Sequence, residues 1–332
     1  MKTDIYLISG FLGAGKTTLI DRLLREAFKP EETVVIENDF GEVSLDTSLI
    51  RSGGFAVKEL SAGCICCSLT GDFQAAIWEV LNEFSPKQIL IEPSGVGKLS
   101  DIEAACQAPK IAELAQIRRK ITIADVVRCR MYIDNFGEFY EDQIQHADVI
   151  LLSRTEQNPE KVSGAKKLLA SLAPNVLVMD EAWSSLGIPA LLGQASAPIS
   201  HEECHDEGCC CHQDHHHHNH SEECCHHDHH HHHDDECCHS HTAEEAFETL
   251  NIQLPHTITT DELKHVFRTL QSKQFGHILR AKGIVGTETG SVTVQYLPGE
   301  LNLTPCDLQP SALCIIGKDL NKQALKQVFK KR

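Results

Sequence analysis

The chain has 332 residues, of which 41% are hydrophobic, and it carries a formal net charge of −17 at pH 7. This length allows one large domain or two of ordinary size, and the acidic balance without an offsetting basic patch disfavours nucleic-acid binding. We find no secretory leader and no apolar run near the ~20 residues of a membrane span. We therefore expect a cytoplasmic protein that does not enter membranes and keeps its thiols reduced.

Short apolar runs alternate with helix-like stretches up to about residue 195. Helical spacing of apolar residues predicts helices over residues 17–25 and 71–84. The runs are typical of buried strands and occupy residues 5–8, 34–36, 89–91, 121–124, 149–152 and 176–179. Continuous apolar strands alternating with helices predict an α/β fold, a mostly parallel sheet with helices on both faces.

A glycine-rich loop stands between the first predicted strand and the first predicted helix. Its glycines allow the backbone to curl around phosphate oxygens, and the N-terminus of the following helix faces the negative charge. We assign Lys16 to the β- and γ-phosphates and Thr17 to Mg²⁺, as catalytic residues. The loop fits the nucleotide-binding pattern G-x-x-x-x-G-K-[ST] and reads Gly10-Phe11-Leu12-Gly13-Ala14-Gly15-Lys16-Thr17-Thr18.

Two further segments complete a predicted nucleotide site. Glu92 ends the apolar run at 89–91, where it can act catalytically on Mg²⁺ or its water, and the Gly95 amide can bind the γ-phosphate. GTP-binding proteins of this class select guanine with N-K-x-D after a later strand. Here that place holds Ser153, Arg154, Thr155 and Glu156. Glu156 keeps a carboxylate, Arg154 can cover the base, and Ser153 lacks the Asn amide. Guanine binding is expected, and its selectivity stays open.

Three cysteines, Cys64, Cys66 and Cys67, form a C-x-C-C motif inside this nucleotide-binding half. Clustered thiolates in a reduced protein bind soft or borderline ions such as Zn²⁺. Adjacent cysteines often cannot share one ion, so two ligands remain an alternative to three, and a packed Cys-rich turn is the non-functional alternative. Glu37 and Glu42, in a presumed first switch at 37–46, are further candidate ligands or else solvent-facing acids.

Residues 201–241 hold eight cysteines, seventeen histidines, eleven acids and no Lys or Arg. We interpret this tract as an auxiliary metal-binding segment, disordered without metal, and the alternative is a polar linker of biased composition. Its candidate ligands are Cys204, His205, Cys209, Cys210, Cys211, His212, Cys224, Cys225, Cys237 and Cys238. The scattered cysteines are expected to be small buried core residues; they are Cys106, Cys129, Cys306 and Cys314.

Beyond the tract the pattern changes to that of a small α+β domain. Alternation at 250–254 and 292–296 and the apolar run 313–316 predict strands, and Thr259 with Glu262 resembles a capping box before a helix. A closing helix carries Ala324 to Phe329. The predicted organisation is a P-loop domain at 1–195, a metal-binding linker at 196–242 and a C-terminal domain at 243–332.

The motifs G-F-L-G-A-G-K-T-T, I-E-N-D-F-G-E, G-C-I-C-C and I-E-P-S-G, in this order, resemble the CobW-like GTPases. The resemblance extends through residues 278–283 to the last strand and helix, and the His-rich insert is similar to that of the zinc-binding YeiR-type branch. It implies a SIMIBI-type P-loop domain, GTP hydrolysis with Mg²⁺, and Zn²⁺ or Co²⁺ at the thiolates. Residues 153–156 depart from the family's usual N-K-x-D or T-K-x-D.

Together these observations predict a GTPase metallochaperone that delivers Zn²⁺ from the C-x-C-C motif to a metal-requiring client protein. Three alternatives remain: a metal storage or buffer protein, an accessory GTPase for nickel or cobalt insertion, and a kinase or other ATPase with the same phosphate loop. The sequence leaves the client and any oligomerisation open.

Overall fold

The computed structural model describes residues 2–37, 53–59, 69–194, 247–254 and 257–330. Several predicted metal ligands lie outside these residues, namely Glu42, Cys64, Cys66, Cys67 and every candidate of the tract at 201–241. Most of the presumed first switch and the linker at 196–242 lie outside them as well. No helix in the described ranges is long and apolar enough to cross a membrane.

Seven strands form a parallel sheet within the described residues, in the order β3-β2-β4-β1-β5-β6-β7. All strands of a parallel sheet end at the same edge, so the loops after β1, β2, β4 and β6 gather there. The strands are β1 (Thr3–Gly10), β2 (Thr33–Glu37), β3 (Ala56–Glu59), β4 (Gln88–Glu92), β5 (Ala115–Asp125), β6 (Val149–Ser153) and β7 (Leu177–Met179).

Helices cover both faces of this sheet because successive strand residues point to opposite sides. Tyr6 and Ile8 of β1 pack in the layer that contains α1 and α7, whereas Ile5 and Leu7 pack with α2, α3 and α4. The helices are α1 (Lys16–Glu26), α2 (Leu69–Phe84), α3 (Leu99–Cys106), α4 (Pro109–Leu114), α5 (Cys129–Gln145), α6 (Pro159–Leu172) and α7 (Ile188–Leu191).

A second sheet is antiparallel, in the order β11-β10-β9-β12-β8. Its strands are β8 (Glu248–Ile252), β9 (His277–Thr287), β10 (Gly290–Leu297), β11 (Glu300–Cys306) and β12 (Leu313–Lys318). Helices α8 (Thr260–Thr269) and α9 (Lys322–Val328) pack on one face. The predicted capping box is confirmed, since the Thr259 side chain accepts from the Glu262 amide and the Glu262 side chain accepts from the Thr259 amide.

The opposite face of the second sheet packs on the phosphate loop and α5. Phe247 lies against Phe11, Phe136 and Phe139, with ring centroids 6.2, 5.4 and 5.2 Å away. The same buried cluster takes in Leu279, Cys314 and Ile316 from the second sheet. One apolar core therefore ties the C-terminal domain directly to the loop that is predicted to hold phosphates.

The predicted fold class is confirmed: a parallel sheet between helical layers, followed by an α+β part. Every predicted strand is present, although β5 begins at Ala115, before its apolar run, and β8 ends before Leu254. The prediction for Cys306 is wrong, because this residue is only half-buried at the end of the edge strand β11. The other scattered cysteines, Cys106, Cys129 and Cys314, are buried.

Candidate functional site

A cavity of about 570 Å³ opens at the carboxyl edge of the first sheet. It collects the three predicted nucleotide segments, since its lining includes Gly13, Ala14, Gly15, Lys16, Thr17, Thr18, Glu92, Gly95, Ser153, Arg154 and Glu156. Gly10 lies just behind, and its carbonyl oxygen accepts a hydrogen bond from the Lys16 ammonium at 3.0 Å. Segments far apart in the chain therefore converge on one cavity.

The phosphate loop runs from the last residue of β1 to the first turn of α1. Gly15 caps this helix in the left-handed region (φ 114°), and the first turn of the helix contains no acidic residue to compete with an anion. The Lys16 side chain is 6% exposed, and its nitrogen lies 3.9 Å from Glu92 Oε1. The Tyr132 hydroxyl donates to the Leu12 carbonyl oxygen at 3.0 Å; burial raises the Tyr132 pKa, so this donor stays protonated.

Gly95 lies against the phosphate loop, where a side chain does not fit. A Cβ atom there would come within 3.0 Å of the Lys16 nitrogen and 3.1 Å of the Leu12 amide nitrogen. The fully buried Gln143 amide of α5 donates to the carbonyl oxygens of Gly95 (3.3 Å) and Gly97 (2.7 Å). This fixed loop presents its backbone to the same space as Lys16.

The segment that is predicted to bind the base, residues 153–156 (the base segment), begins at the end of β6. Ser153 lines the cavity and is 5% exposed, and among the described residues its buried hydroxyl has no hydrogen-bond partner. A buried polar atom without a partner is costly, so a bound ligand is its expected partner. The Glu156 carboxylate accepts from the Ser184 hydroxyl at 3.2 Å.

Trp183 forms a wall of the cavity between the base segment and the phosphate loop. Its indole nitrogen donates to the Leu152 carbonyl oxygen at 2.7 Å, and its ring lies 3.1 Å from the Cβ position of Gly15. Arg22 of α1 donates to the carbonyl oxygens of Trp183 and Leu186 and so holds this segment in place. Trp183 was not predicted from the sequence, although its position just beyond β7, at the same sheet edge, was an available signal.

Arg154 lines the cavity, and its guanidinium is bound in a charge cluster of four residues: Asp125, Arg128, Arg154 and Glu300. Arg154 lies 3.0 Å from Asp125 and 2.8 Å from Glu300. Arg128 bonds the same two carboxylates at 2.6 and 2.9 Å. Asp125 is 1% exposed, so this charge cluster joins a buried acid of β5 to Glu300 of the second sheet. The predicted contact of Arg154 with a base remains a prediction.

Glu37 is the one predicted ligand of the internal metal site that the structure describes. It is 5% exposed at the end of β2 and pairs in register with Glu92 of β4 and Glu59 of β3. Cys64 follows the end of β3 after four residues. Within the described residues no group of three or more His, Cys, Asp or Glu side chains is arranged to hold a metal ion.

Two residues of the second sheet also line the cavity, Arg280 of β9 and Gln295 of β10. Leu297 of β10 contacts the phosphate loop, since a Cβ on Gly13 would lie 2.5 Å from Leu297 Cδ1. Sequence patterns did not predict these residues as part of the site, because nothing local ties the second sheet to the loop.

Comparison with known proteins matches both halves of the chain to family models. Residues 4–179 match the CobW/HypB/UreG nucleotide-binding domain, and residues 247–332 match the cobalamin synthesis protein cobW C-terminal domain. In the described residues, the first matched region contains the sheet of β1–β7, and the second contains the sheet of β8–β12.

Similar proteins include zinc chaperone YeiR of Escherichia coli, 34% identical over 158 residues that make up 47% of each chain. Zinc chaperone YjiA of Escherichia coli is 33% identical over 181 residues, 51% of this chain and 53% of that one. The chain spans about half the length of the curated relatives it matches. A solved structure of Zn(II)-bound YjiA GTPase from E. coli aligns with a TM-score of 0.45 and 18% identity over 99% and 98% of the two chains.

The match to the nucleotide-binding domain covers more than half of the chain and contains all three predicted nucleotide segments of the cavity. The protein belongs to the CobW/HypB/UreG nucleotide-binding domain family and carries a cobW-type C-terminal domain.

Proposed function

We propose that this protein is a GTP-hydrolysing zinc metallochaperone. In this proposal Cys64, Cys66 and Cys67, with Glu37 and Glu42, bind Zn²⁺ as cargo that passes to a metal-requiring client, and the tract at 201–241 is an auxiliary reservoir. Similarity to proteins named zinc chaperones supports the choice of metal. The convergence of three nucleotide segments on one cavity supports the choice of activity.

The cavity lining supports the nucleotide end of this mechanism. In the proposal Lys16 binds the β- and γ-phosphates, the Gly95 loop binds the γ-phosphate, and Ser153 and Glu156 offer polar atoms to a guanine. Thr17 and Glu92 lie in the same lining and supply hard oxygen donors, the type that Mg²⁺ prefers, so these residues fit a Mg²⁺–nucleotide. Bound Mg²⁺ would neutralise charge on the phosphate oxygens.

The observation that carries the proposal is the register pairing of Glu37 with Glu92. Adjacent strands are about 4.8 Å apart, so the predicted zinc ligand and the predicted nucleotide residue are direct neighbours. A change at either carboxylate alters the electrostatic field at the other. Nucleotide and zinc can therefore bias one shared conformational equilibrium, and such coupling is reciprocal.

Hydrolysis is tested by comparing GTP with ATP, each with and without Zn²⁺. We expect GTP to be the better substrate and Zn²⁺ to change its rate. Lys16→Ala removes the phosphate-binding cation and should abolish turnover, whereas Lys161→Ala, an exposed lysine on α6, should leave it unchanged. Equal hydrolysis of ATP and GTP with no effect of Zn²⁺ would favour a general ATPase.

Zinc binding is tested separately with a triple variant of Cys64, Cys66 and Cys67 to Ser and with a chain lacking residues 201–241. The deletion should remove most of the zinc stoichiometry, at most ~6 ions for 25 Cys and His at four ligands each, and leave GTP turnover intact. The triple variant should abolish the effect of Zn²⁺ on turnover, whereas Cys306→Ser should not. An effect that survives the triple variant but not the deletion would favour a buffer with a regulatory tract.

A further inference from the structure

The second sheet contributes a positively charged side chain to the nucleotide cavity. Arg280 of β9 lines that cavity together with Lys16 and Glu92, although it lies more than 100 residues beyond the last nucleotide segment. It is half-buried. Nucleotide phosphates are the anions expected in this cavity, and a guanidinium binds phosphate oxygens through two parallel hydrogen bonds.

A bulge in β9 accounts for the direction of Arg280. Ile316 pairs with Arg280 while Gly317 pairs with Ile278, so Leu279 is an extra residue in the strand. Leu279 lies in the buried cluster with Phe11, and Arg280 lines the cavity, so two successive residues both face the first sheet. Regular alternation would turn one of them away, and a bulge is the usual device for re-aiming a side chain.

The neighbouring strand places Arg280 beside the phosphate loop. Tyr296 and Ala281 form the last pair in the register of β10 and β9, and Leu297 and Arg280 are the next residues along the two strands. Continuing the register one step places them opposite each other. Opposite residues of antiparallel strands share a face and have Cβ atoms about 5 Å apart. Leu297 contacts Gly13 in the middle of the loop. Arg280 therefore approaches the cavity next to Gly13, at its phosphate end.

Arg280 differs from the other cations of the cavity in having no acidic partner within the part of the chain that the structure describes. Lys16 is paired with Glu92, and Arg154 is held by Asp125 and Glu300. The carboxylates of Glu92, Asp125 and Glu300 are thus already engaged by these other cations. An arginine that has no carboxylate partner, in a cavity that is predicted to bind phosphates, is available to pair with an anionic ligand.

We propose that Arg280 is a catalytic arginine that the C-terminal domain supplies to the γ-phosphate during GTP hydrolysis, an inference that rests on the proposed GTPase function. In that reaction a water oxygen bonds to the γ-phosphorus, and the bond from phosphorus to the β–γ bridging oxygen breaks. The protons of the water pass to the released phosphate and the solvent. Arg280 exchanges no proton and stabilises the charge on the transferred phosphoryl group through its hydrogen bonds.

The test compares steady-state GTP hydrolysis and calorimetric GDP binding in the full chain, Arg280→Ala, Arg280→Lys and the control Arg268→Ala. Arg268 is an exposed arginine of α8 in the same domain. Thermal melting checks that each variant folds. We expect Arg280→Ala to lower kcat on the order of 10³-fold with GDP affinity nearly unchanged. The kcat of Arg280→Lys should lie between those of the wild type and Arg280→Ala, since Lys keeps the charge but cannot form the two parallel hydrogen bonds of a guanidinium. Arg268→Ala should match the wild type.

Two results would overturn the assignment while leaving the GTPase proposal intact. One is wild-type hydrolysis in Arg280→Ala. The other is an equal loss of affinity for GDP and for a non-hydrolysable GTP analogue with kcat unchanged, which would place Arg280 at the base or ribose. Absence of GTP hydrolysis in the wild-type chain would instead refute the proposed function itself, and with it the role of Arg280. If Arg280→Ala fails to fold, Arg280→Lys with reduced kcat and unchanged GDP affinity supports the assignment, and unchanged kcat refutes it.

Discussion

Replacing Glu300 by Gln should weaken the connection between the second sheet and the nucleotide domain. One carboxylate oxygen, Glu300 Oε2, accepts from both Arg128 (2.9 Å) and Arg154 (2.8 Å). Gln keeps the shape of Glu but offers only a neutral acceptor. After the change two arginines share the single charge of Asp125, and the balanced charge cluster gains one uncompensated positive charge.

The expected cost follows from the bonds lost and from their exposure. A hydrogen bond to a charged group contributes about 1.5–3 kcal/mol when it is buried. Glu300 is 30% exposed, and the Gln carbonyl can still accept one bond, so we expect about 2 kcal/mol for the pair rather than the full sum. For a protein of this size that loss should lower Tm by about 4 °C.

Differential scanning calorimetry of Glu300→Gln measures this shift. Asp134→Asn is the matched control, because it removes an equivalent arginine–carboxylate pair, with Arg130, that is exposed on α5. Such a surface pair contributes under ~1 kcal/mol, so its Tm should move by no more than about 2 °C. A Tm for Glu300→Gln equal to that of Asp134→Asn would show that the charge cluster does not hold the two sheets together.

Three further predictions concern the cavity and its surroundings. Gly95→Ala should reduce affinity for a GTP analogue by roughly tenfold or more through overpacking, whereas Gly97→Ala, where the nearest contact is 3.4 Å, should have little effect in the same calorimetric titration. In a Trp78→Phe chain, Trp183 is the one remaining tryptophan, and GDP should change its fluorescence; unchanged emission at saturation would place the nucleotide elsewhere. Burial raises the pKa of Glu300, but Arg128 and Arg154 outweigh this and hold it below its ordinary 4.5, so its stabilisation is present above pH 4.5 and lost as the pH falls through the lowered pKa; unfolding curves of Glu300→Gln should lack this acid-dependent loss.

Local patterns predicted the first sheet well. Its buried strands are continuous apolar runs, and the phosphate loop needs a strand before it and a helix after it, so sequence alone places Gly15 and Lys16 at a helix N-terminus. The strand β9 was not predicted, because its buried residues include Lys282 and its bulge disrupts alternation at Leu279. Hydrophobic periodicity detects regular strands and misses strands in which a bulge interrupts the alternation.

The site was predictable only where its residues belong to contiguous motifs. Glu92 and Ser153 are the last residues of strands that must end at one edge, so their convergence follows from the parallel sheet. Arg280 and Glu300 reach the site through tertiary packing of a second sheet, and no local signal gives that packing, whereas Trp183 lies just beyond β7 of the first sheet. Arg154 illustrates the consequence. Its position at the site was predicted, but its ion pairs with Asp125 and Glu300 were not.

The central claim, that nucleotide and zinc act on one equilibrium, is tested most directly by the affinity for Zn²⁺ in the presence of GDP and of a non-hydrolysable GTP analogue. The measurement uses a chain without residues 201–241, so that only the internal site reports. Coupling through Glu37 and Glu92 predicts affinities that differ by about 5-fold or more. Equal Zn²⁺ affinity in the two nucleotide states, together with a GTP turnover that Zn²⁺ leaves unchanged, would contradict it.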